Sequence, residues 1–231
     1  MMRHPEKLGL MALTLMFLAV PANAETVAKL ASPGDVVGVS VEVDGDGRVL
    51  YEVKRRGKAI LAPSRLGFLF TDARKIERSL KLVSQSTRDE DGNWTQPWGE
   101  WQTIRNHFRE LRVRFQETGP LARQMDVVFR LYDDGVGFRY EFPDQPNLRQ
   151  ANIADELTEF AFAQDGTAWW KPAFLWNREE YLYNRTALSA VGTADTPITM
   201  KLADGTHVSL HEAALVDYSS MAVSPSTSSR T

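Results

Sequence analysis

Apolar and polar residues alternate with a period of two along most of the chain, a pattern typical of half-buried β-strands. In the clearest case, residues 125–131 and 136–142 alternate on either side of the turn Asp133-Asp134-Gly135, which predicts a β-hairpin. The same alternation recurs in residues 37–43, 49–53, 111–115 and 198–202. No helical pattern runs for more than three turns. The sequence therefore predicts an all-β fold, a large antiparallel β-sandwich with few short helices.

Two stretches ahead of this hairpin lack a clear alternation. Residues 76–83 fit either a strand or a short helix. Residues 84–97 are polar and rich in Asp, Thr and Asn. Because such a composition is typical of connecting segments, we expect a long loop there.

The first residues have the pattern of a secretory signal peptide. Arg3 and Lys7 give a positive start, residues 8–20 form a short apolar run, and Ala22-Asn23-Ala24 supplies the small residues of a cleavage site. We expect cleavage after residue 24, export to a periplasm, and no membrane attachment afterwards; an uncleaved anchor is the alternative. One domain is then expected at residues 25–222. The Ser- and Thr-rich residues 223–231 are expected to form a disordered tail.

Composition excludes several classes of function. The 231-residue chain has no cysteine and a net charge of -3. Disulfides, thiolate chemistry and zinc sites built on cysteine are therefore excluded. Without a basic block, nucleic-acid binding is not expected. Nucleophile, phosphate-binding and dinucleotide motifs are missing from the sequence, and no pair of acids stands out as the two carboxylates of a glycosidase.

Residues 206–218 contain two histidines and two acids and alternate like a strand. On that strand Glu212 would continue an otherwise apolar face, which is costly unless the acid is paired, metal-bound or at an open strand end. A solvated or ion-paired carboxylate is the simplest interpretation. His207 and His211 would lie about 13 Å apart, too far to share a zinc ion. Calcium, which takes several oxygen ligands, suits Glu212 better.

All six tryptophans fall in two clusters, each with acids, amides and basic residues nearby. The clusters are Trp94, Trp98 and Trp101, and Trp169, Trp170 and Trp176. Flat aromatic rings can hold the apolar faces of a sugar while polar neighbours bond its hydroxyl groups. Tryptophans also anchor cores and loops. The pattern leaves both interpretations open.

Five short segments, taken in order, resemble a known family. They are Trp98-Gly99-Glu100, Ile104-Arg105-Asn106-His107-Phe108, residues 129–142, Trp169-Trp170, and His211-Glu212-Ala213-Ala214-Leu215. Together they are similar to the N-terminal domain of glycoside hydrolase family 97, the calcium-dependent exo-acting α-glucosidases and α-galactosidases. The resemblance covers nearly all of the chain after the signal peptide.

The resemblance implies a large β-super-sandwich that packs on a (β/α)₈ barrel, which carries the catalytic carboxylates. It also implies that the sandwich donates a glutamate to a calcium ion beside the sugar site, and Glu212 best matches that ligand. Glu100, Arg105 and His211 are the implied candidates for contact with an α-linked oligosaccharide or for support of the site. The implied partners are this oligosaccharide and the barrel.

The barrel itself lies outside this sequence, so its general acid and base are missing. We therefore expect a hydrolase fragment that is inactive alone and binds calcium weakly, as a truncated, frameshifted or naturally split product. A stand-alone carbohydrate-binding sandwich that uses the tryptophan clusters is one alternative. An interaction domain that pairs with a separately encoded barrel is another.

Overall fold

The computed structural model describes residues 24–175, 180–216 and 218–226. Within them the chain is almost entirely β, and the only helical element is one 3-10 turn, Leu188–Ala190. The strands in chain order are β1 (Glu25–Ala31), β2 (Val37–Val43), β3 (Val49–Arg55), β4 (Lys58–Arg65), β5 (Phe68–Phe70), β6 (Leu80–Thr95), β7 (Thr103–Glu117), β8 (Gln124–Tyr132), β9 (Gly135–Glu141), β10 (Ile153–Glu156), β11 (Gly166–Pro172), β12 (Asn184–Ala187), β13 (Ala194–Leu202), β14 (His207–Leu210) and β15 (Ala222–Val223). The predicted all-β fold class is confirmed.

Two four-stranded antiparallel sheets, β1-β2-β3-β4 and β6-β7-β8-β9, form the main sandwich. Their inner faces carry the alternating apolar residues recognised in the sequence, and these share one core. Tyr51 of β3 reaches across to the second sheet, where its ring centroid lies 6.1 Å from that of Phe129 and 5.2 Å from that of Phe138. Period-two burial on both sheets thus explains why they pack face to face.

A third antiparallel sheet, β12-β11-β13-β14, follows in the chain, and β15 also pairs with β13. Its smaller core contains Ala168, Ala194, Ile198 and Met200. Phe162 packs against both this core and the main one, so the third sheet is joined to the sandwich by apolar contact. A short ladder between β5 and β10 completes the described sheets.

The loop predicted for residues 84–97 is wrong, because most of this stretch belongs to the 16-residue strand β6. The strand pairs with β7 from Leu80↔Glu117 to Thr95↔Thr103. It is the edge strand of its sheet, and most of its residues are exposed. Because an exposed edge strand has little apolar surface to bury, it lacks the alternation that marks the other strands.

The strand predicted across residues 206–218 is also shorter than expected, because β14 ends at Leu210. The backbone N–H of Met221 donates a hydrogen bond to Oε1 of Glu212, so the chain turns away and returns to pair with β13 through β15. His211 and Glu212 therefore follow the strand instead of extending it.

Residues 1–23, where the signal peptide is expected, lie outside the described residues, and so does Trp176 of the second tryptophan cluster. In the part of the chain that the structure describes, no helix is long and apolar enough to cross a membrane.

Candidate functional site

The carboxylate of Glu212 is anchored just beyond β14. Thr196 of β13 donates a hydrogen bond from its hydroxyl to Oε2 of Glu212 at 2.7 Å. The backbone N–H of Met221 donates to Oε1. Thr196 lies before Glu212 in sequence and Met221 lies after it, so the side chain of Glu212 links β13 to the chain that leads into β15. An ionised carboxylate has about four acceptor positions, so two donors leave others for a cation or water.

Glu212 is ionised at neutral pH. Partial burial alone would raise its pKa, but the hydrogen bonds from Met221 and Thr196 outweigh burial and hold the pKa below its ordinary value. These bonds stabilise the charged form, which is the form that binds a cation.

His211 is exposed beside this carboxylate. Its Nδ1 lies 2.8 Å from the backbone carbonyl oxygen of Glu212, which can only accept, so Nδ1 carries the proton of this hydrogen bond. In the neutral ring Nε2 then has no proton and can accept a hydrogen bond. His211 is thus suited to accept a hydrogen bond from a hydroxyl group.

The loop that follows Glu212 is tied to a distant strand. The hydroxyl of Tyr218 donates to Oε2 of Glu156 on β10 at 2.9 Å, and the hydroxyl of Thr158 donates to the other oxygen of Glu156 at 2.5 Å. Tyr140 of β9 in turn contacts the hydroxyl of Thr158 at 2.5 Å. This chain of hydrogen bonds holds the loop against the main sandwich.

His211 and Glu212 line an open cleft of about 2700 Å³ between the edge strand β9 and the β13–β14 hairpin. Its walls combine apolar side chains such as Phe138 and Phe160 with charged ones such as Arg139 and Glu156. The carboxylate of Glu212 is thus one of several charged groups in the lining of this cleft.

Glu100 and Arg105 lie elsewhere, on the hairpin formed by β6 and β7. Arg105 donates from Nε and Nη2 to the two oxygens of Asp91, both at 2.8 Å. This bidentate pair lowers the pKa of Asp91 and joins the two strands. Glu100 is exposed in the loop between them. Among the described residues, none from this hairpin lines the cleft at Glu212.

Sequence reasoning missed Thr196, Met221 and Glu156 as partners of the site. Thr196 lies 16 residues before Glu212, and Glu156 lies 62 residues before Tyr218. No local motif connects positions so far apart, and only the pairing of β13 with β14 and β15 brings the first two to the carboxylate.

The described residues do not form a complete metal site. They contain no group of three or more His, Cys, Asp or Glu side chains arranged to hold a metal ion. Calcium takes 6–8 oxygen ligands in general. The described residues around Glu212 are therefore too few to coordinate a calcium ion by themselves.

Comparison with known proteins identifies the family. The family model of the glycosyl-hydrolase 97 N-terminal domain matches residues 30–231. The chain belongs to this family. Among solved structures, a glycoside hydrolase family 97 enzyme from Pseudoalteromonas sp. strain K8, in complex with acarbose, is similar with a TM-score of 0.82 and 37% identity. The match covers 87% of this chain and 30% of that enzyme.

Two curated relatives of this glycosyl-hydrolase 97 N-terminal chain are named as retaining α-galactosidases. The probable enzyme of Streptomyces bingchenggensis is 28% identical over 165 residues, which are 70% of this chain and 25% of that protein. The enzyme of Bacteroides thetaiotaomicron is 26% identical over 160 residues, which are 68% of this chain and 22% of that protein. The chain thus spans about a quarter of these relatives.

Proposed function

We propose that this chain is the N-terminal sandwich module of an exported family 97 α-glycosidase, and that Glu212 supplies one ligand to a calcium ion shared with a (β/α)₈ barrel. The observation that carries the proposal is the Glu212 carboxylate, which is ionised, fixed by two donors and part of the lining of an open cleft. Alone, the module is expected to be catalytically inactive, because the barrel holds the reacting carboxylates.

Calcium bound at this position would place a divalent charge beside the sugar and polarise the oxygen atoms that it contacts. The part played by this chain is to hold the ligand still. Thr196 and Met221 restrict the rotamers of Glu212, so less conformational entropy is lost when the carboxylate binds a cation.

The three candidate residues support sugar binding unequally. His211 is exposed next to Glu212, and its geometry suits a contact with a sugar hydroxyl. Arg105 has two of its donor groups committed to Asp91, so it is better suited to hold the β6–β7 hairpin in shape. Glu100 shares that hairpin with Arg105. The proposed substrate is an α-linked oligosaccharide, as the named ligands and activities of the relatives suggest.

A chimera tests the proposal. The matched N-terminal part of the Pseudoalteromonas enzyme is replaced by this chain, and hydrolysis of an α-glucoside is measured against calcium concentration. With Glu212→Gln, we expect the calcium concentration for half-maximal activity to rise about tenfold, which corresponds to about 1.4 kcal/mol of lost ligand binding. Glu90→Gln, which changes an exposed acid on β6, is the control and should leave the calcium dependence unchanged.

Equal calcium dependence of the Glu212→Gln and Glu90→Gln chimeras, both folded and active, would refute the ligand role. A calcium titration of the chain alone by isothermal calorimetry completes the test. Since one carboxylate cannot fill the coordination sphere of calcium, binding by the chain alone should be weak. Tight binding without the barrel would contradict the shared site.

A further inference from the structure

The β6–β7 hairpin extends beyond the sandwich as a two-stranded arm. Strand β8 pairs with β7 only as far as Arg109↔Leu131. Beyond that point Thr103 to Phe108 of β7 pair with Glu90 to Thr95 of β6 alone. Six residues at about 3.4 Å each give an arm roughly 20 Å long. The bidentate pair of Arg105 with Asp91 crosses this arm and stiffens it.

Three tryptophans are exposed at the end of the arm. Trp98 is 83% exposed, Trp101 66% and Trp94 51%. Together these fractions amount to about two whole indole side chains, or roughly 400 Å². Exposed aromatic surface of this extent is typical of a binding or contact site.

The loop that displays these rings has a fixed shape. The backbone N–H of Gln96 donates to the carbonyl of Gln102 at 3.0 Å, and the side-chain amide of Gln96 donates to the carbonyl of Trp101 at 2.6 Å. Gly99 has φ +127°, and a Cβ there would collide with the amide of Gln96. The loop therefore needs glycine at this position and presents Trp98 and Trp101 from a closed, hydrogen-bonded turn.

We propose that this arm tip binds a short oligosaccharide of pyranose sugars. An indole face is electron-rich and attracts the C–H groups on the apolar face of a pyranose ring. Glu100 and Gln102 lie exposed beside the rings and can bond the hydroxyl groups around the ring edge. This inference goes beyond the proposed function, because it concerns the arm and not Glu212.

The size of the patch favours a sugar over a protein that would bind to the arm tip alone, such as a second copy of this chain. A stable protein interface buries about 800 Å² on each side, roughly twice what the three rings expose. The loop is also a narrow tip without a flat surround, since it joins only two strands. A short oligosaccharide needs no more surface than the rings and their polar neighbours offer.

The test measures the binding of maltotriose, panose and melibiose to the full chain by isothermal calorimetry and by saturation-transfer NMR. We expect a Kd of about 1 mM for at least one of these sugars. Trp98→Ala and Trp101→Ala should each weaken binding about tenfold, because exposed aromatic anchors dominate such sites. Tyr183→Ala, which removes an exposed aromatic ring outside the arm, should have no effect.

Each other outcome overturns the proposal. One is no detectable binding of any of the three sugars, and another is binding that survives both tryptophan variants. A third is concentration-dependent self-association that Trp98→Ala abolishes, because the tip would then be a protein contact. Glu212→Gln should leave sugar binding at the arm unchanged. Loss of binding in that variant alone would place the sugar at the cleft, and so failure of this inference stays distinguishable from failure of the proposed function.

Discussion

Replacing Glu110 with glutamine tests how far ion pairs stabilise the outer face of the β6-β7-β8-β9 sheet. Glu110 is only 8% exposed. Its carboxylate accepts two hydrogen bonds from Arg88, at 2.8 and 3.0 Å, and one from Arg130 at 2.8 Å. The same two guanidinium groups lie 5.3 and 4.6 Å from the ring centroid of Phe108. One acid therefore holds two cations that cover an aromatic ring.

The pKa of Glu110 gives the size of the effect. Hydrogen bonds from Arg88, and then from Arg130, outweigh partial burial and lower this pKa from 4.5 to about 2. That difference corresponds to about 3 kcal/mol of stability at neutral pH. Because the side chain of Arg88 is half exposed, solvent screens part of this interaction, and we expect Glu110→Gln to lower the free energy of unfolding by about 2 kcal/mol.

The sign of the pH dependence follows from the lowered pKa. A group whose pKa is lower in the folded state stabilises the protein fully above its unfolded value, and this stabilisation is lost as the pH falls toward the folded value. The difference between wild type and Glu110→Gln should therefore be constant above about pH 5 and shrink progressively below about pH 4.5. Urea denaturation at a series of pH values measures it.

Glu90→Gln is the matched control for this experiment. Glu90 also faces Arg88, but at 3.7 Å and with its side chain 47% exposed. An exposed pair of this kind contributes little, so the control should change the free energy of unfolding by less than about 0.5 kcal/mol. Two results would refute the argument. One is that Glu110→Gln lowers the free energy of unfolding at neutral pH by less than about 0.5 kcal/mol. The other is that the difference between wild type and Glu110→Gln persists in acid.

Two further changes probe other parts of the fold. Arg123→Met removes a guanidinium group that is 1% exposed and donates to the two oxygens of Glu117 at 2.8 and 2.7 Å. Urea denaturation should show that the free energy of unfolding falls by about 3–5 kcal/mol. For the control Arg78→Met, which changes an exposed arginine, it should fall by less than about 1 kcal/mol. Gly166→Ala would place a methyl group against a backbone carbonyl of β13, and thermal or urea denaturation should show that the free energy of unfolding falls by about 1–3 kcal/mol. The control is Gly137→Ala, where the added methyl group has open space around it. It should change the free energy of unfolding by less than about 1 kcal/mol.

The sequence predicted the inner strands well because their side chains point alternately into the core and outward, so apolar and polar residues alternate along them. Val127 and Phe129 of β8 are fully buried, and Arg130 between apolar neighbours faces outward. Strand β6 was missed for the opposite reason. Its outer residues, such as Arg88 and Asp91, form ion pairs with residues of β7, and no periodic burial distinguishes such a segment from a loop.

The candidate site was only partly predictable for a related reason. Glu212 was singled out because an acid on an apolar strand face is unusual, yet β14 ends two residues earlier and that face does not exist. The residues that anchor the carboxylate, Thr196 and Met221, come together through sheet pairing across 25 positions of the chain. Hydrogen bonds between positions so far apart leave no periodic trace in the sequence.

The anchoring of Glu212 means that its structural role and its proposed metal role are compatible. A glutamine in its place keeps one carbonyl oxygen as an acceptor but turns an amide toward the other donor, either Met221 N–H or the Thr196 hydroxyl. One hydrogen bond is then lost, which should cost about 1–2 kcal/mol of stability even where no cation is present. Stability and calcium dependence must therefore be measured on the same variant. A stability loss of this size with unchanged calcium dependence would mean that the carboxylate serves only to join Thr196 and Met221. A shift in calcium dependence that exceeds what the stability loss explains would mean that the oxygen atoms left free by Thr196 and Met221 bind the cation.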